Sequence, residues 1–351
     1  MKKFVFILFF FLLFFPFVFS QEIIENPKKP LNPHPGRILK LKEVLRIKDQ
    51  GGVFFFKQPQ FPKVSEDGFL FLHDSNQFLK FTPEGQFVKN LLKKGQGPGE
   101  IQRFARYVLQ GEDIFVYDSG NSKILHMDLE GKFLEEFSLR ERYSLLLGLL
   151  GDYFVLTKMS FEDVEESAGN IIDMPVSIVV LSKKEEVIKE FPAALQRAYR
   201  GENIMVSRGR SFTILSHDGR FCIWNDPEEY RITVLDIGTG GIASKFTRPY
   251  SRIKAPKRKT ERPGPKVPER KYLPDINYIY TYQGNILVWT STYDEKRGML
   301  FDLFDKKGTY LDSFRLNVRG VLIGTQGEFL FFRAYNEDGT VDVVKYQVEK
   351  E

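Results

Sequence analysis

The stretch from Arg106 to Phe137 limits the possible folds most, because it reverses direction three times in about 32 residues. Arg106-Tyr-Val-Leu-Gln110 meets a turn at Gly111-Glu-Asp113, and Ile114-Phe-Val-Tyr117 meets the loop Asp118-Ser-Gly-Asn-Ser122. Lys123-Ile-Leu-His-Met-Asp128 then meets Glu130-Gly131 and returns as Lys132-Phe-Leu-Glu-Glu-Phe137. Runs this short, rich in aromatic and β-branched residues and punctuated by glycine, are strands rather than helices. The glycines supply the positive φ that tight hairpins need. Four hairpin-linked strands make one small antiparallel sheet with two apolar faces, and such a sheet needs neighbours to cover it.

The same pattern recurs along the chain. Asp67-Gly68, Phe69–Leu72, Asp74-Ser-Asn76, Gln77–Phe81, Pro83-Glu-Gly85 and Gln86–Leu91 repeat it, and Gly85 to Gly131 is a step of 46 residues. Further copies fall at Ser144–Phe191, Phe212–Phe246, Tyr278–Phe314 and Val321–Val348. A period near 46 residues with four strands per unit is that of a propeller blade. The last copy lacks one strand, and Ile38–Leu41 with Val44–Ile47 supplies it from the other end of the chain. The expected architecture is all-β: six four-stranded antiparallel blades, with the ring closed by an N-terminal strand pairing with the last blade. Strands this short do not match the roughly ten-residue, evenly alternating strands of a membrane barrel.

Two segments carry a resemblance. Asp118-Ser-Gly-Asn-Ser-Lys-Ile124 after Ile114–Tyr117 resembles the NHL-type repeat, with Lys123 where that repeat usually has arginine. Gly95-Gln-Gly-Pro-Gly-Glu100 resembles a segment of exported bacterial six-bladed β-propeller proteins. The match covers about residues 60–137, and the later blades lack the Asp-x-x-Asn loop. The resemblance implies an exported propeller; relatives of this architecture include lyases and lactonases as well as proteins with no assigned activity.

Residues 1–20 are expected to be a signal peptide. Lys2 and Lys3 form the positive region, Phe4–Phe15 the apolar region, and Val18 and Ser20 the small-residue positions before Gln21. The apolar run falls short of the roughly 20 residues of a spanning helix, so no transmembrane helix is expected after cleavage. The absence of a cysteine near residue 20 argues against a lipid-modified terminus. The expected location is therefore exported, periplasmic or extracellular. Residues 21–37, with Pro27, Pro30, Pro33 and Pro35, read as a Pro-rich extended spacer, and residues 38–351 as the propeller.

Loops joining strands two and three share a face with the links between blades, and long loops on a rigid scaffold carry function. Segments 93–103, 158–175, 192–210 and 247–275, all expected to be irregular, fall on that face, and the opposite face has only tight glycine turns. From Lys245 to Lys271 there are eleven Lys or Arg against two Glu, while the whole chain carries +5. Arg103 and Arg106 precede or begin an innermost strand, as do Arg208 and Arg210, and with Arg252, Lys257, Arg258 and Lys259 they form the candidate anion-binding set. An acidic insert at 158–175 could neutralise part of this charge.

Other chemistries have less support. Gly95–Glu100 is not a phosphate loop, because Pro98 removes an amide donor, Glu100 repels phosphate, and no Gly-Lys-Ser/Thr follows. The four histidines show no zinc-ligand spacing, and no Gly-x-Ser-x-Gly elbow is present. Cys222, the only cysteine, lies in the apolar run Phe221–Trp224 and reads as a small core residue. Asp74, Asn76, Asp118 and Asn121 offer oxygen ligands for Ca or Mg, although Asp and Asn in such loops more often bond their own backbone. The expected function is a non-catalytic binding or scaffold propeller, exported, that presents a basic loop face to an anionic glycan, peptide or envelope protein. A metal-dependent lyase or lactonase with its active site at the channel mouth is the alternative. Nucleic acid is not an expected partner of an exported chain without a recognised binding module.

Overall fold

A computed structural model of the chain describes residues 22–160, 165–167, 171–200, 205–207, 212–214, 219–256 and 271–349. The expected signal peptide lies outside the described residues. Three strands precede the first blade: β1 (Ile24–Glu25), β2 (Arg37–Ile38) and β3 (Leu41–Ile47). Blade one holds β4 (Gln60–Val64), β5 (Leu70–Asp74), β6 (Gln77–Phe81) and β7 (Phe87–Asn90). Blade two holds β8 (Phe104–Gln110), β9 (Asp113–Asp118), β10 (Lys123–Asp128) and β11 (Phe133–Ser138). Blade three is built from β12 (Leu145–Leu150), β13 (Tyr153–Met159), β14 (Glu165–Ser167), β15 (Ile171–Leu181), β16 (Val187–Arg200) and β17 (Met205–Ser207). Blade four has β18 (Phe212–Ile214), β19 (Phe221–Asn225), β20 (Arg231–Asp236) and β21 (Gly241–Thr247). Blade five has β22 (Ile276–Tyr282), β23 (Asn285–Asp294), β24 (Gly298–Phe304) and β25 (Tyr310–Leu316), and blade six β26 (Gly320–Gln326), β27 (Phe329–Tyr335) and β28 (Val341–Val348).

The ring closes as the sequence predicts. β3 pairs antiparallel with β28, from Val343 opposite Ile47 to Val348 opposite Leu41, and becomes the outer strand of blade six. The first strands of successive blades touch in cyclic order, β4 to β8, β12, β18, β22, β26 and back to β4. Apolar clusters fill the gaps between blades. One joins blades one and two through Phe71, Phe78, Tyr107 and Val116, and another joins blades six and one through Phe331, Val343, Leu72 and Phe81. Middle strands such as β9 are buried almost throughout, whereas the outer β11 alternates or faces solvent. That gradient follows from sheets covered on both faces by neighbouring sheets. The chain is therefore a six-bladed β-propeller with four-stranded blades.

Three features depart from the simple template. β4 carries Pro62 and was not separable from loop by sequence pattern; it pairs with β5 through a bulge between Gln60 and Lys63. In blade three, parts of the segments expected to be irregular form a β-ribbon, because β15 and β16 stay paired from Leu181–Val187 to Ile171–Tyr199, well past the end of β13. Met159, Ile172, Met174 and Ala198 give that ribbon its own small core. Finally, the Pro-rich segment after residue 21 is bonded along blades four and five. β1 runs parallel to β21 and β2 runs parallel to β25, each extending a blade by one outer strand. Between them Asn26 donates to Gly308 O at 2.8 Å and accepts from Tyr310 N at 2.9 Å, and Leu31 N and Asn32 N donate to Tyr310 O and Leu311 O. Arg37 closes the strap with a bidentate pair to Asp312 at 2.8 and 3.0 Å.

Candidate functional site

An up-and-down blade sends its strand-two-to-three loops and its outgoing link to the same end, so the links between blades gather on one face around the axis. The site residues on that face divide into those that hold the links and those that are unpartnered.

Asp74 and Asp118 hold links. Each ends the second strand of its blade and accepts two backbone amides from the segment that enters the blade. Lys57 N and Gln58 N donate to Asp74 at 2.6 and 2.8 Å, and Gln102 N and Arg103 N donate to Asp118 at 2.9 and 2.8 Å. Asp118 also receives Gly120 N at 3.0 Å and Asn121 Nδ2 at 2.7 Å. Both carboxylates are fully buried, and charge-assisted bonds of this kind fix a link without any ligand. Asn121 also donates to Gly95 O, and Lys123 Nζ donates to Gly97 O at 3.0 Å while pairing with Glu136 at 2.8 Å. Glu100 accepts from Gly97 N at 2.9 Å. The Asp-x-x-Asn-x-Lys loop and the Gly95–Glu100 segment are thus two halves of one lock between blades one and two. Among the described residues, no group of three or more His, Cys, Asp or Glu is placed to hold a metal ion. Asp74 and Asp118 each accept the amides of their own link.

In the basic link between blades four and five, Arg248 and Arg252 are internally paired. Arg252 Nε donates to Asp275 at 3.0 Å, its Nη2 donates to Glu228 O at 2.6 Å, and its guanidinium lies over Tyr272. Arg248 is buried against Asp302, which also accepts from Tyr230 and Tyr310 at 2.6 and 2.8 Å. These arginines hold the link and the interface. Arg208, Arg210, Lys257, Arg258 and Lys259 lie outside the described residues.

Unpartnered charge among the described residues includes a pair at the axis. Arg106, the third residue of β8, is half-buried, and its guanidinium lies 4.7 Å from the ring centroid of Phe61 in β4. Phe61 occupies the β4 bulge with φ 54°, a left-handed conformation that costs a bulky residue on the order of 1–2 kcal/mol. The bulge is pinned by Tyr107, whose hydroxyl lies 2.6 Å from Phe61 O and 2.8 Å from Phe71 O. A bulge re-aims the side chains that follow it. Here the residue that follows is Lys63, which is exposed by area yet ringed by protein, as a side chain in the lumen of an inner strand must be. Burial and then the nearby Arg106 charge pull its ammonium down to about 8. Among the described residues neither Lys63 nor Arg106 has a carboxylate partner. Arg103, also without a side-chain partner among the described residues, is exposed at the end of the link just above. Sequence reading found Arg103 and Arg106 by position, but missed Lys63 and Phe61 along with their strand.

Other candidates offer less. Cys222 is fully buried, and burial pushes its thiol up, away from nucleophilic use. His73 stacks on Phe104 with ring centroids 3.9 Å apart, and its Nε2 lies 3.0 Å from Ser75 O. A groove of about 580 Å³ opens between blades five and six, but its Arg46 and Arg319 are paired with Asp342 and Glu337.

The family model described as DUF5128, a 6-bladed beta-propeller, matches residues 63–187, which span most of the first three blades. A comparison with the curated proteins found no match. Among solved structures, a Bacteroides fragilis protein inferred to be exported is similar at TM-score 0.59 and 15% identity, covering 94% of this chain and 100% of its own. A DUF4221 family member from Bacteroides vulgatus is similar at TM-score 0.55 and 12% identity, covering 90% and 99%. At such identity the likeness is one of fold.

Proposed function

We propose that this six-bladed propeller is an exported binding module without a catalytic role, and that its link-bearing face takes an anionic glycan, peptide or protein partner whose charge enters the axis. The observation that carries this reading is the pair Lys63 and Arg106, two cations on adjacent inner strands with no carboxylate partner among the described residues. A buried or lumenal charge without a partner is costly, and a bound anion removes that cost. The strained Phe61 bulge supports the same reading, because such strain persists where a fold must hold a particular geometry. Export is supported by the leader-like first 20 residues and by the Bacteroides fragilis protein inferred to be exported.

The test compares two sets of substitutions. Binding of acidic oligosaccharides and acidic peptides is measured by calorimetry for the native chain, for K63M/R106Q and for K257S/R258S/K259S. The axial pair is expected to lower affinity at least roughly tenfold and to flatten its salt dependence. An axial variant that binds every acidic probe like the native chain would overturn the placement. Loss in the loop variant alone would move the site to the loop.

A further inference from the structure

The groove of about 580 Å³ between blades five and six has its charges matched in pairs, and that selects its ligand. We infer that it is a second binding site, which takes an uncharged sugar: a pyranose unit or a short neutral oligosaccharide. It uses none of the axial residues, so this site and the axial one stand or fall separately. Its volume lies within the roughly 300–1,000 Å³ usual for small-ligand sites.

A sugar ring presents an apolar face of C–H groups and a rim of hydroxyls, and the groove offers a partner for each. Two tyrosines line it. Tyr335, at the end of β27, is 42% exposed, and the Arg333 guanidinium lies 5.5 Å from its ring centroid. Tyr346 of β28 packs edge-on against Phe332, with centroids 5.7 Å apart. Rings held in this way give a flat apolar surface with a polar tip. Two amides are oriented beside them. Asn336 Nδ2 donates to Thr340 Oγ1 at 2.9 Å and to Asp342 Oδ1 at 3.0 Å, and Asn317 Nδ2 donates to Lys296 O at 3.0 Å. With their amino groups committed, each leaves an oxygen without a donor among the described residues, ready to accept from a hydroxyl. Arg319 and Glu337 meet at 3.4 Å and both are exposed, so a donor fork stands next to an acceptor pair. Neighbouring hydroxyls on one ring, which donate and accept, match that combination.

Charge argues for a neutral ligand. Lys40, Arg46 and Arg319 in the groove are matched by Glu43, Asp342 and Glu337, so the groove and its ion-pair partners carry no net charge. A charged ligand would compete with these pairs, whereas a neutral one leaves them intact. The chain crossing from β2 to β3 forms one wall, and its main chain is already bonded. Ile38 pairs with Arg315, Leu39 N donates to Arg315 O, and Lys40 O accepts from Glu349 N. That wall therefore has no free strand edge to which a peptide adds.

The experiment titrates the full chain with cellobiose, maltose, mannobiose and diacetylchitobiose, with glucuronate as the charged control, by calorimetry and saturation-transfer NMR. At least one neutral sugar is expected to bind saturably below about 10 mM, with an affinity that salt does not change. Y335A and R319A, both at exposed positions, are expected to keep the native melting temperature and to lower that affinity at least roughly tenfold. Y335F, which keeps the ring, is expected to retain most of it. Bound sugar is expected to slow amide exchange at residues 38–41 and 317–319 and to leave β8 unchanged. K63M/R106Q is expected to bind the sugars like the native chain. No saturable binding of any of the neutral sugars, or native affinity in both Y335A and R319A, would overturn the inference. Binding of glucuronate alone, lost with added salt, would overturn it as well. Loss of sugar binding in K63M/R106Q alone would move the sugar to the axis and strike the groove as its site.

Discussion

Lys63 is a residue whose charge the fold tolerates rather than uses, which makes its substitution informative. The fold lowers its pKa to about 8 from 10.5, so between those values the unfolded chain binds more protons and stability of the empty protein rises with pH. Below pH 8 the ammonium is present and costs stability. K63M is therefore expected to raise the melting temperature at pH 7 only slightly, because solvent screens a side chain exposed by area, while weakening anion binding. In the native chain, affinity for a simple carboxylate is expected to fall as pH rises through 8, with K63M showing no such step. A flat native profile would remove Lys63 from the binding site. Asp118 behaves oppositely. Its bonds to Gln102, Arg103, Gly120 and Asn121 are made without any ligand, so D118A is expected to cost roughly 3 kcal/mol, and a chelator is expected to leave the native melting curve unchanged. A drop with chelator that added Ca or Mg restores would support the metal reading. The Asp-x-x-Asn-x-Lys loop was legible because its spacing is local. Sequence shows its oxygens as acceptors but not the donors that the incoming link brings.

Elements were legible where pattern and punctuation agree, and failed where tertiary contacts override pattern. The glycine turns placed almost every blade strand. β4 escaped because Pro59 and Pro62 break the apolar run, and only pairing with β5 and contact with β8 make it a strand. The ribbon of β15 and β16 escaped because its acidic and mixed residues show no alternation, and its small core forms only once both strands leave the blade together. The N-terminal strap shows the same limit. Its prolines and polar residues suggested a spacer, yet Asn26 bridges blades four and five with both ends of its amide. N26A is expected to lower stability by about 1–2 kcal/mol, because Gly308 O and Tyr310 N would each lose a buried partner. Amide exchange would show the change at β21 and β25 and leave β6 and β9 as in the native chain. A uniform change across all blades would argue that the strap acts on the ring as a whole.

Closure governs the molecule as a whole. β3 covers the edge of β28 and also contributes to two interfaces, through Leu45 and Ile47 between blades six and one and through Leu41 between blades five and six. Its removal would bare a strand edge and open two apolar clusters together, so its effect cannot stay local. Ile47 is 2% exposed, and burial of that kind lost at several positions is worth on the order of 5 kcal/mol or more. A chain beginning at Lys48 is therefore expected to melt far below the native protein and to self-associate on size-exclusion chromatography. Because Lys63 and Arg106 are held by neighbouring inner strands of the closed ring, the shortened chain should lose anion binding as well. A synthetic peptide spanning residues 38–48 supplies the missing edge strand in trans, since extended peptides add to open sheet edges through main-chain bonds. Adding it should raise the melting temperature part of the way, because the strap along blades four and five stays absent, and restore anion binding. If binding survived in the shortened chain at temperatures where it stays folded, the axial site would be independent of closure, and blades one and two alone would be sufficient to build it.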